Sequence, residues 1–180
     1  MIEAASAFVA WAGALTIVLS DARRGLAAGT ALAGLGLAAL TLPNAGWAAA
    51  AAVAVGAAAA AARRYTAGPT GWRVMPPGST PRLVLSIAAG VFALWLCLSV
   101  MTGAGAGLRF SVLAVLGLSG GRVLTTDDPF VAQTALAAGA LAVAASAGLV
   151  SSTPGVWPYL AGAAVAAVAV WAPFRSSRAA

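Results

Sequence analysis

GLAAGTALAGLGLAALTL (residues 25–42), Pro43-Asn44, then AGWAAAAAVAVGAAAAAA (45–62) is the stretch whose reading decides the fold. Neither run carries a charge. At 1.5 Å rise per residue, each reaches close to the roughly 30 Å of hydrocarbon in a bilayer. Alanine favours helix over strand. Outer-membrane strands alternate apolar and polar residues, whereas these runs are unbroken. Pro43-Asn44 marks a helix stop and a turn. The stretch therefore predicts two helices back to back. The second is almost pure Ala, so it is only marginally hydrophobic and inserts best beside neighbours already in place.

Runs of the same kind lie on either side, at 4–20, 83–101, 104–120, 129–149 and 154–174. Together they predict an all-α integral membrane protein. It is one domain over 1–180, a compact bundle of seven short transmembrane helices with a basic loop at 63–82. Thr80-Pro81, Asp128-Pro129 and Thr153-Pro154 each set a capping residue before a proline that suits the first helical turn. The fifth run differs from the rest. It is short, Gly-rich at both ends and contains Arg109, so a re-entrant segment is the alternative to a full span.

Composition agrees. Of 180 residues, 62% are hydrophobic and 8% charged, against about 25% charged in an average soluble domain. That leaves too little polar surface to cover a water-facing globule. A net charge of +6 would suggest nucleic acid in a soluble protein, but here the positive-inside rule explains it and no nucleic-acid partner is expected. The first segment lacks the basic start of a secretory signal peptide and reads as a retained helix. With seven spans and the N-terminus outside, Arg23, Arg24, Arg63, Arg64, Arg73, Arg82, Arg122, Arg175 and Arg178 all fall in the cytoplasm. Only Arg109 falls on the other side. The predicted location is the cell (inner) membrane, multi-pass, with a cytoplasmic C-terminus. Trp47, Trp157 and Tyr159 then lie near the outer interface and Trp171 and Phe174 near the inner one, where amphipathic rings prefer to sit.

Several chemistries are excluded. There is no histidine and no lysine, which removes imidazole acid–base catalysis, His-ligated metals and a Schiff base. A single cysteine, Cys97, makes no internal disulfide and no thiolate metal site from this chain alone. The four acidic residues, Glu3, Asp21, Asp127 and Asp128, all lie outside the predicted span interiors. Proton and cation carriers place a carboxylate within the membrane. No cofactor, metal site or catalytic group is expected, and the reading leans away from an enzyme.

A few residues remain as candidates. Arg109 near a span end costs roughly 2.5–3.5 kcal/mol if central and less if it snorkels. Gln133 and Thr134, the most polar pair inside a span, hydrogen-bond between helices or line a path for solute. Gly25 and Gly29, continued by Ala33, form a close-packing face. Arg63, Arg64, Trp72, Arg73 and Arg82 make a loop suited to anionic lipid headgroups or to a partner. Asp21 caps or pairs with Arg24, and Asp127 and Asp128 cap the helix starting at Pro129.

Asp21-Ala22-Arg23-Arg24 after the first helix, with Gly103-Ala104-Gly105 before a later one, resembles the prepilin peptidase family of membrane aspartic proteases. There an Asp follows the first helix and a second Asp closes a GxGD motif. Here Ala106 follows the first Gly-x-Gly and Leu108 the overlapping one, so the second catalytic carboxylate is missing and active protease chemistry with it. The short, Ala-rich helices are similar in composition to small accessory subunits of complex-I-like and antiporter assemblies. The expected function is a non-catalytic structural or accessory subunit of a membrane assembly. Its partners would be the lipid bilayer and other membrane subunits or a second copy. The alternative is a small transporter or channel for an anionic or neutral solute, using Arg109, Gln133 and Thr134.

Overall fold

A computed structural model describes residues 1–73, 80–99, 103, 105–150 and 155–172. Among them are six helices and no strand: α1 (Ile2–Leu19), α2 (Arg23–Thr66), α3 (Thr80–Ser99), α4 (Ala106–Leu124), α5 (Pro129–Val150) and α6 (Trp157–Trp171). Four of them, α1, α2, α4 and α5, are long and apolar enough to cross a membrane. The expected count of seven is thus corrected to six elements, because the helices expected at 25–42 and 45–62 belong to one.

The reason lies at the predicted break. Helical structure runs through Pro43, and only Gly46 leaves helical dihedrals, at φ 82° and ψ 175°. The Asn44 amide donates to the Leu40 carbonyl at 2.7 Å, serving an acceptor that a helix end leaves open. The two arms of α2, 23–45 and 47–66, then fold back on each other: a Cβ at Gly34 would fall on the Ala57 methyl. That φ/ψ combination is open to glycine and strained for other residues. Gly46→Ala is therefore expected to cost about 1–3 kcal/mol, measured as lower thermal stability in detergent. The added methyl would meet no neighbour, so backbone strain alone accounts for the loss.

Close approach of backbones holds the bundle together. Along α2, Gly29 and Ala33 lie on Gly13 and Ile17 of α1, and Gly36 lies on Ser6 and Ala10. Gly56 meets Ala163 of α6, and Gly162 of α6 meets Ala140 and Ala144 of α5. Small residues allow this contact where lipid supplies no hydrophobic drive between helices. Gly25, singled out with Gly29, packs instead against Ser20 and the Trp72 carbonyl. Helix α5 sits among α2, α4 and α6, with Ala135, Ala138, Leu141, Ala142 and Ala145 buried. Helix α3 is peripheral. It packs on α1 and α4, where Gly90 admits the Trp11 ring, and leaves Val84, Leu85, Val91, Phe92 and Trp95 exposed.

The doubtful fifth run forms α4, a continuous helix of 19 residues, with no re-entrant break among the described residues. Asp128 accepts from the Phe130 N–H at 2.8 Å, the capping expected at the start of α5. The Thr153-Pro154 cap, Phe174, Arg175 and Arg178 lie outside the described residues. Trp47 and Trp157 are exposed, whereas Tyr159 is fully buried within the bundle.

Candidate functional site

The backbone first gathers the arginines. No side chain caps α2 at Ala22. Instead the strap at 67–73 folds over its first turn: the Arg23 N–H donates to the Pro69 carbonyl at 3.0 Å and the Arg24 N–H to Gly71 at 3.3 Å, while the Asp21 N–H donates to Arg73 at 3.3 Å. These donors would otherwise be orphaned at a helix start. Gly68 and Gly71, at φ 116° and 105°, supply the turns that the strap needs.

Two polar clusters form at this end. In the first, Asp21 takes a hydrogen bond and ion pair from Arg122 of α4 and faces Arg82 of α3 at 3.5 Å. One carboxylate therefore ties the α1–α2 junction to two other helices. Asp21 does not pair with Arg24, as local spacing suggests; Arg122, from 101 residues away, takes its place. Arg122 is 2% exposed, and its Nε and Nη1 have no hydrogen-bond partner among the described residues. In the second cluster, Arg64 is 1% exposed and donates to Gln133 Oε1 at 2.6 Å. Gln133 Nε2 donates in turn to the Ala172 carbonyl at 2.9 Å. The Arg64 guanidinium also lies over the Phe130 ring at 5.3 Å, and Arg63 lies over Trp171 at 5.2 Å. Helices α2, α5 and α6 are thereby clamped at their ends. Gln133→Leu should destabilise the protein by about 2 kcal/mol, because a buried guanidinium loses its acceptor. Gln133→Glu keeps the acceptor and should lose less than half of that; melting curves in detergent compare the two.

Seven described arginines, Arg23, Arg24, Arg63, Arg64, Arg73, Arg82 and Arg122, thus share one end of the bundle. Arg109 lies in the first turn of α4 at the other end, where Glu3 Oε1 accepts from the Gly107 N–H at 2.9 Å. A carboxylate suits that helix start. Leu108 approaches Gly148, while Ser119 approaches Gly139, so α4 and α5 run antiparallel. From Gly148 back to Gln133 is about 22 Å along the helix. Arg109 is therefore not brought together with Gln133 and Thr134. Thr134 is spent locally, donating to the Phe130 carbonyl at 2.7 Å.

The loop residues also part company. Arg64 is a buried clamp, Arg63 stands on Trp171 and Arg82 faces Asp21, whereas Trp72 and Arg73 remain exposed in the strap. Sequence reasoning passed over Arg122 as a partner for Asp21, and the pairing carries no local signal. Among the described residues no three His, Cys, Asp or Glu side chains gather as metal ligands. No family model matches the chain, and neither a curated protein nor a solved structure matches it.

Proposed function

We propose that this chain is a non-catalytic structural or accessory subunit of a membrane assembly. It resides in the cell (inner) membrane and crosses it seven times, with the N-terminus outside and the C-terminus in the cytoplasm. The seven crossings count α2 twice, which the reversal at Gly46 supports. The grouping of seven arginines opposite Arg109 supports a cytoplasmic Arg-rich end, under the positive-inside rule. Broad outward faces, such as Val84, Leu85, Val91, Phe92 and Trp95 on α3, suit lipid or a neighbouring subunit.

The observation that carries the subunit reading is the spending of interior hydroxyls on their own helices. Thr30, Thr41, Ser86, Ser111, Ser119 and Thr134 each donate to the carbonyl four residues back on their own helix. Among the described residues, Ser20 and Tyr159 are the buried hydroxyls without a partner, and they sit at opposite ends. A solute path needs groups free to replace the solute's hydration. The separation of Arg109 from Gln133 and Thr134 counts against the transport alternative in the same way.

Purification from the native membrane in mild detergent, followed by mass spectrometry, tests the proposal. Stoichiometric membrane companions are the expected result. A homogeneous monomer or homo-oligomer active in liposome transport would overturn it.

A further inference from the structure

Between the two arms of α2 runs a groove of about 460 Å³, open to the outside of the bundle. Its walls include Ala28, Ala31 and Ala62, and Arg24, Tyr65 and Trp72 stand at its mouth. Each alanine offers only a methyl, so the arms, which touch at Gly34 and Ala57, leave a trough toward the Arg-rich end. From Arg24 to Ala31 the trough is about 10 Å deep, some two-thirds of the half-thickness of a bilayer's roughly 30 Å hydrocarbon core.

The mouth has a different chemistry from the trough. The Arg24 side chain is exposed and takes part in no hydrogen bond or ion pair among the described residues, its backbone N–H being held by Gly71. Trp72 and Tyr65 are 57% and 59% exposed, and both are ring types that favour the headgroup level of a bilayer. The strap that caps α2 fixes Trp72 beside Arg24. A second apolar groove, lined by Trp47, Ala48, Ala51, Val55 and Leu160, has similar walls beside the Gly46 reversal, between the second arm of α2 and α6, and no cation among its described lining residues.

We infer that the groove between the arms of α2 is a site for one anionic phospholipid. An acyl chain lies along Ala28, Ala31 and Ala62, and the phosphate pairs with Arg24 between Tyr65 and Trp72. Charge complementarity selects this occupant: a helix of another protein seated here would need its own carboxylate opposite Arg24, whereas an anionic lipid brings charge and chain together. The inference rests on the membrane reading but not on the subunit role, so a lipid site without companions, or companions without a lipid site, would tell the two apart.

Native mass spectrometry of the protein released from nanodiscs tests it. The nanodiscs hold equal amounts of phosphatidylglycerol and phosphatidylcholine with identical chains. The wild type should retain one phosphatidylglycerol in preference to phosphatidylcholine. Arg24→Gln should lower that retention about fivefold, the effect of one surface Arg on an anionic lipid, and Arg24→Lys should keep most of it. Ala28→Leu with Ala62→Leu, which fills the trough, should remove it, while Ala51→Leu in the uncharged groove should leave it unchanged. Size-exclusion profiles matching the wild type qualify each variant. Equal retention of the two lipids, no effect of Arg24→Gln in a monodisperse protein, or a polypeptide shielding Trp72 in place of lipid would each overturn the inference.

Discussion

Gly13→Leu should prevent the bundle from forming a monodisperse species in detergent, with a loss of about 3 kcal/mol or more. A Cβ at Gly13 would stand 2.7 Å from both the Ala33 Cα and the Gly29 carbonyl oxygen. These are backbone atoms of a neighbouring helix, so no rotamer change makes room. Helix α1 would have to move off α2, and with it would go the contacts that place Ala10 and Ser6 on Gly36. Gly117 on α4 is the control, because a Cβ there meets nothing within 4 Å. Gly117→Ala should be neutral or stabilising by up to about 1 kcal/mol through helix propensity. Thermal unfolding followed by size exclusion reads both. Equal behaviour of the two variants would show that the α1–α2 contact is looser than described.

The second large effect belongs to Asp21. Asp21→Asn should destabilise the protein by about 3 kcal/mol, because it leaves Arg122, 2% exposed, as an uncompensated buried charge beside Arg82. The expected signature is rescue. Adding Arg122→Leu to Asp21→Asn should recover most of the loss, since replacing both partners of a buried pair removes the desolvation penalty along with the attraction. A double variant as unstable as the single one would mean that Asp21 acts through something other than Arg122. The same carboxylate occupies the place where the prepilin peptidase resemblance puts a catalytic Asp. Here it is engaged by two guanidinium groups, those of Arg122 and Arg82.

The helices were legible because unbroken apolar runs flanked by Arg, Asp-Pro or Pro-Asn leave little else for the chain to do. The reversal was legible in place but not in form. Pro43-Asn44 reads as the stop, yet Asn44 closes the first arm and Gly46 alone takes the non-helical dihedrals. Helix α4 was ambiguous because Gly and Arg109 lower its hydropathy, yet it forms a continuous helix of 19 residues. The packing face was half legible. Gly29 and Ala33 stood out by their spacing, while Gly13, the residue they press on, has no pattern of its own. The polar clamps were not legible at all. Arg122 meets Asp21 across 101 residues and Arg64 meets Gln133 across 69, and no local rule pairs residues at such separations. Nor did composition foretell that the strap at 67–73 would cap α2 through its carbonyls.

The central claim is that the two arms of α2 carry the chain across the membrane and back, with the arginines in the cytoplasm. Single cysteines in a Cys97→Ser background, labelled in intact cells with a membrane-impermeant maleimide, test it most directly. Trp47→Cys, beside the Gly46 reversal, should react from outside, and Asp127→Cys, beside the Arg122 cluster, should react only after the membrane is opened. Reaction of both cysteines from the same side, or the reverse pattern, would contradict the account.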